Sequence, residues 1–157
     1  MPSLTILVGT MTGTAELVAD EVKDALAGEG IAAEVLAMDG LTPAVFERGG
    51  DFLICTSTYG QGDVPDNAQA LFQALEAGRP DLARIRYGVI ALGDHTYAQT
   101  FCFGGKRFDQ LLSALGARRL GEILLHDASA GTVPEEVAAA WARQWGPQFL
   151  GASCAAA

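Results

Sequence analysis

Three stretches hold most of the residues whose types and spacing could do chemistry: Gly9-Thr10-Met11-Thr12-Gly13-Thr14-Ala15-Glu16, residues 56–67, and residues 92–102. The first offers neutral donors. Thr10, Thr12 and Thr14 supply hydroxyls, glycine lets successive backbone N–H groups converge, and no lysine or arginine precedes Lys23. At a helix start such a run forms an anion nest, and the helix dipole favours negative charge there. It suits a terminal phosphomonoester held by hydrogen bonds, without a magnesium nucleotide. Neither the Gly-x-Gly-x-x-Gly fingerprint nor a Gly-Lys-Ser/Thr ending is present. A glycine-rich turn capped by threonine would read the same way.

The second stretch reads Thr56-Ser57-Thr58-Tyr59-Gly60-Gln61-Gly62-Asp63-Val64-Pro65-Asp66-Asn67. It is longer than the roughly 2–6 residues that usually join a strand to a helix. Tyr59 beside Gly60 would turn an aromatic ring and a bare peptide group toward a planar ligand, unless the tyrosine folds back on the surface. The third reads Leu92-Gly93-Asp94-His95-Thr96-Tyr97-Ala98-Gln99-Thr100-Phe101-Cys102. Tyr97 could cover the other face of a flat ring. His95 reads as a solvated surface histidine. Cys102 reads as a small packing residue, because no neighbouring base signals an activated thiolate.

The elements that must position these stretches alternate along the chain. Leu4-Thr5-Ile6-Leu7-Val8 is a strand ended by Gly9, and Val18, Val22, Ala25 and Leu26 then recur at helical spacing until Gly28 and Gly30. Ala32–Ala37 is a second strand, and Phe52-Leu53-Ile54-Cys55 a third, apolar on both faces as a central parallel strand is. Asn67 could cap a helix bearing Leu71, Phe72 and Leu75, ended at Gly78-Arg79-Pro80. Residues 87–92 form a fourth strand, Phe108, Leu111, Leu112 and Leu115 a helical stripe closed by Gly116, and residues 120–125 a fifth strand. The last helix opens at Pro134 with Glu135 and Glu136 and carries Val137, Trp141, Trp145 and Phe149. This pattern predicts an α/β fold: a three-layer α/β/α sandwich with a five-stranded parallel sheet in the order 2-1-3-4-5. Ligands of such sheets sit beyond the carboxyl ends of the strands, where the order reverses. The loops after Val8, Cys55 and Leu92 leave from those ends.

At 157 residues the chain fits one domain, here residues 1–150 with a flexible tail over 151–157. Ten basic against 19 acidic side chains give a net charge of −9, which argues against nucleic acid and anionic membranes as partners. Half of the residues are hydrophobic and mean hydropathy is +0.23, unlike a disordered acidic segment. The three cysteines, Cys55, Cys102 and Cys154, lie far apart and signal neither a disulfide framework nor a metal site. No apolar run approaches membrane-spanning length, and Met1-Pro2-Ser3 opens no signal-peptide pattern, so the cytoplasm is the expected location.

The three stretches together, with Phe101-Cys102 following the third, resemble the FMN-binding loops of the flavodoxin family. The likeness is greatest to short MioC-type flavodoxins and to the flavodoxin-like domains of diflavin reductases such as the sulfite reductase flavoprotein. It runs from Leu4 to the Trp141/Trp145 helix and departs by one extra residue over 98–100. The resemblance implies that Thr10, Met11, Thr12, Gly13, Thr14 and Ala15 hold the FMN phosphate. It further implies that Tyr59 and Tyr97 flank the flavin ring, with Thr58, Gly60, Gly62, Asp63, Leu92, Gly93 and Asp94 along its edges, Phe101 and Cys102 nearby, and Asp127 as an acidic neighbour. The protein would be an electron carrier rather than an enzyme. With all 157 residues used by one fold, electrons are expected to come from a separate reductase and leave to a separate acceptor enzyme.

Three other readings compete. An FMN-dependent quinone or azo reductase would need a substrate pocket over the flavin, which two flanking tyrosines would fill. A signalling receiver of the same topology needs an aspartate at the third strand's end, where Cys55-Thr56-Ser57 stands. A cofactor-free interaction domain would ignore added FMN. The charge is also uneven: residues 1–78 carry 2 basic and 12 acidic side chains, and residues 79–157 carry 8 and 7. An acidic face around the flavin is therefore expected to steer a basic protein partner.

The family resemblance implies that the peptide after Tyr59 turns over when the flavin gains one electron, so that the Gly60 carbonyl accepts a hydrogen bond from flavin N5–H. Glycine permits both backbone states. Gly60→Ala is expected to lower the yield of the one-electron-reduced state in a redox titration, and an unchanged yield contradicts this role.

Overall fold

The apolar runs that read as strands all enter one parallel sheet. The computed structural model describes residues 3–9, 14–38, 41–48, 51–56, 66–83, 85–93, 103–119, 123–127 and 133–156. In chain order these form β1 (Ser3–Gly9), α1 (Thr14–Gly28), β2 (Ala32–Ala37), a 3-10 turn (Pro43–Arg48), β3 (Asp51–Thr56), α2 (Asp66–Gly78), β4 (Arg86–Gly93), α3 (Phe103–Ala114), β5 (Arg118–Arg119), β6 (Leu124–Asp127) and α4 (Pro134–Ala156). The sheet order is β2-β1-β3-β4-β5, with β6 also paired to β4.

Side-chain alternation sorts the core into two clusters, one on each face of the sheet. Leu7, Phe52, Ile54, Tyr87, Val89 and Ala91 pack against α2 and α3 through Leu71, Leu75, Phe108 and Leu112. Ile6, Val8, Leu53, Cys55, Ile90 and Leu92 pack against α1 and α4 through Val18, Val22, Ala142 and Trp145. All of β3 is buried, as its two-sided apolar run predicts, whereas edge strand β2 is part-exposed. Glycine closes α1 and α3 at the expected points. Gly30 (φ +83°) and Gly116 (φ +98°) adopt left-handed backbone. The next N–H groups, of Ile31 and Ala117, donate back to Leu26 O and Leu112 O at 2.9 and 3.0 Å.

Two boundaries differ from those read in the sequence. The fifth strand, expected over residues 120–125, is two segments, β5 and β6, both parallel to β4. Tyr87 pairs with Arg119 but Ile90 with Leu124, a register shift of two residues, so one unbroken ladder cannot join them. The apolar run thus marks the edge position but not the ends of its strands. In addition, residues 151–156, which read as a tail in the sequence, continue α4. Ala152, Ala155 and Ala156 favour that continuation, and Gly151 costs it only about 1 kcal/mol relative to alanine.

At the amino-terminal edge of the sheet, Asp51 and Arg86 are register partners on β3 and β4. Arg86 Nη2 donates to Asp51 Oδ2 at 3.0 Å, and Nε lies 2.6 Å from Oδ1. Burial pushes the Asp51 carboxyl above its ordinary value, and Arg86 opposes that push through its hydrogen bond and charge. A raised carboxyl favours the folded state most at low pH, and that advantage is lost as pH climbs through the folded pKa. Arg86→Gln removes the opposing charge, so Asp51 rises further. The variant is expected to lose about 1–3 kcal/mol near neutral pH and less in acid, as Asp51 takes up its proton. Denaturant melts showing an equal loss at neutral and acidic pH contradict this.

Candidate functional site

Parallel pairing places the ends of four strands side by side. Gly9 is in register with Thr56, Thr56 with Ala91, and Gly93 with Asp127. The chain leaves β1, β3, β4 and β6 at this one edge, and the helices that follow begin at Thr14, Asp66, Phe103 and Pro134. The edge therefore gathers helix amino termini, each the positive end of a dipole. It is a place for a polar, anionic ligand.

The first of these helices is tightly docked. Ala15, in the opening turn of α1, is fully buried, and Cys55 Sγ on β3 lies 3.5 Å from its carbonyl oxygen as a donor. Burial pushes the Cys55 thiol up to about 12, so it acts as a buried hydrogen-bond donor rather than a nucleophile. Gly9 marks a second close approach: a Cβ there would lie 2.6 Å from Thr56 Oγ1 and 3.1 Å from Ala68 Cβ. Between them, these contacts fix where the chain leaves β1 and where α1 begins, and so where its amino-terminal N–H groups point.

Of the residues read from the sequence as a site, Thr14, Ala15, Leu92, Gly93 and Asp127 fall among the described residues, and all five stand at this edge. The side chains of Ala15 and Leu92 are turned into the α1/α4 core, so each faces the edge through its backbone. Thr10, Met11, Thr12, Gly13, Thr58, Tyr59, Gly60, Gly62, Asp63, Asp94, Tyr97, Phe101 and Cys102 lie outside the described residues.

Two residues at the edge escaped the sequence reading as site residues: Thr56, fully buried at the end of β3, and His126, 5% exposed on β6. The signal was a polar residue closing an apolar run, which in sequence looks like the first residue of a loop. Among the described residues, exposed carboxylates stand in the first turns of α1 (Glu16) and α4 (Glu136), and Asp20, Glu21 and Asp24 extend the acidic outer face of α1 beside an exposed Leu17.

Comparison with known proteins agrees with this geometry. The Flavodoxin family matches residues 6–141. Flavodoxin YqcA of Escherichia coli (strain K12) is 43% identical over 146 residues, covering 93% of this chain and 97% of its own. Protein MioC of the same organism is 32% identical over 145 residues, covering 92% and 97%. A cysteine-to-alanine mutant of flavodoxin from Pseudomonas aeruginosa superposes with a TM-score of 0.84 at 34% identity, covering 94% of this chain and 98% of its own.

The close approach at Gly9 gives a test of how the edge is built. Gly9→Ala is expected to destabilise the fold by about 1–3 kcal/mol, since the new methyl must displace Thr56. Adding Thr56→Ala removes the obstructing hydroxyl, so the double variant should lose less than the two single losses together. Additive losses in thermal or denaturant melts contradict the steric account.

Proposed function

The chain belongs to the flavodoxin family, whose members are FMN-binding electron carriers, and from that premise we propose that it shuttles single electrons from a separate NAD(P)H-dependent reductase to an acceptor enzyme. The observation that carries this reading is the convergence of four strand-to-helix connections on one edge of the sheet, beside the docked amino terminus of α1. The residues at this edge suit FMN: Gly9 leaves no room for a side chain, and α1 presents free N–H groups to a phosphate. Near-complete mutual coverage with flavodoxin YqcA supports the carrier reading.

Bound at this edge, FMN supplies the one-electron chemistry. Thr10, Met11, Thr12, Gly13, Thr14 and Ala15 hold its phosphate with hydroxyls and backbone N–H groups. Tyr59 and Tyr97 cover the two ring faces and exclude water. Thr58, Gly60, Gly62, Gly93 and the backbone of Leu92 border the ring, with Phe101 and Cys102 beyond them. The carboxylates of Asp63, Asp94 and Asp127 make added negative charge at the site unfavourable, which makes the reduced carrier a strong reductant. Two rings leave little room for a second substrate, in keeping with a carrier.

The acidic outer face of α1, with Glu29 and Glu34 exposed beyond it, steers basic protein partners toward the site. Among the described residues no helix is long and apolar enough to cross a membrane. We place the protein in the reducing cytoplasm, where a buried free thiol such as Cys55 persists.

Purified protein is expected to absorb as a flavoprotein and to release FMN identified by mass. It should reduce a quinone with NAD(P)H only when a flavin reductase is added. A colourless protein that ignores added FMN contradicts the reading, and quinone turnover without a reductase makes the chain an enzyme instead. Electron exchange with a basic partner is expected to slow as salt is raised. Rates insensitive to ionic strength contradict the steering role of the acidic face.

A further inference from the structure

We infer that His126 is a positioning residue for the flavin site, acting through the strand end at Asp127, an inference that rests on the function proposed above. β6 has four residues, Leu124–Asp127, and its last pairs with Gly93 at the site edge. All four of its residues pair with β4, so what its side chains add decides how firmly the strand end is held. Leu124 is only partly buried against the α1/α4 cluster, Leu125 is 43% exposed, and His126 is 5% exposed. His126 is thus the deepest side chain of β6 whose burial is described, one residue before the site.

Its position explains why that matters. His126 is in register with Leu92, a member of the α1/α4 cluster, and it shares a strand face with Leu124 by alternation. The ladder is interrupted just upstream, between β5 and β6, so β6 inherits no register from a long continuous strand. A slip of one residue would exchange exposed Leu125 for buried His126. An aliphatic side chain would enter an apolar layer more cheaply, because a buried imidazole must recover its hydrogen bonds inside the protein. A hydrogen bond adds what apolar contact lacks, a fixed direction. A ring held in one orientation fixes the next peptide, that of Asp127, against Gly93, and both residues border the flavin in the proposed site.

The test uses the full chain carrying His126→Leu, His126→Asn or His126→Gln, stripped of flavin and retitrated with FMN by fluorescence quenching. Thermal melts of the flavin-free proteins run alongside. The expected His126→Leu protein melts close to wild type yet binds FMN about tenfold more weakly or worse, the size of one lost buried hydrogen bond. The amide that replaces the bonding nitrogen, Asn for Nδ1 or Gln for Nε2, regains most of that affinity. Unchanged FMN affinity in His126→Leu, or equal loss in all three variants, overturns the inference. If His126→Leu melts early, the reduction potentials of the flavin-loaded variants decide: wild-type values overturn the positioning role, and shifted values reversed by one amide support it. A wild-type chain that does not bind FMN overturns the flavin reading itself, and so the two failures are told apart.

Discussion

A parallel sheet cannot distribute its connections freely. Parallel neighbours need crossover connections, usually helices, so every strand-to-helix connection leaves from the same edge. In this chain that rule brings together segments far apart in sequence, from the end of β1 to the end of β6. It also orients α1, α2, α3 and α4 with their amino termini toward that edge. The order β2-β1-β3-β4-β5 adds a reversal beside β1, where a crevice opens between crossovers to opposite faces. The site is the consequence of backbone pairing before any side chain is considered.

Electrostatics then divides the work. The docked start of α1 offers neutral donors and a dipole to a phosphate, which removes the need for a cation among the residues preceding Lys23. Carboxylates are kept on the outer surface of α1, at Glu16, Asp20, Glu21 and Asp24, where water solvates them. The same acidity that excludes nucleic acid can therefore serve recognition of a basic protein without disturbing the phosphate cradle. Positive charge is concentrated later in the chain: Arg118 and Arg119 are exposed on β5, a two-residue strand at the sheet's edge, where charge discourages pairing with another chain.

The fold was legible because its signals are redundant. An all-apolar Phe52–Cys55 run, glycines at the ends of α1 and α3, and helical stripes between them each point to a parallel sheet with covered faces. The division of the last strand was not legible, because Leu120 through Leu125 is apolar enough to read as one run and pairing with β4 is a long-range fact. The extension of α4 past Gly151 was hidden for a different reason: a glycine looks like a stop, but Ala152, Ala155 and Ala156 beyond it favour helix. At the site, glycine and threonine loops could be found from composition. Thr56 and His126 could not, since burial of a polar residue depends on what packs over it. The docking of Ala15 under Cys55 was equally hidden, because two small residues 40 positions apart carry no pattern.

The central claim is that the amino terminus of α1 receives a phosphate and thereby selects FMN. Titration of the flavin-free protein with FMN and with riboflavin, which differ by that phosphate alone, tests it most directly. The account predicts that FMN binds far more tightly and that the difference shrinks when inorganic phosphate competes. Equal affinity for the two flavins would contradict it.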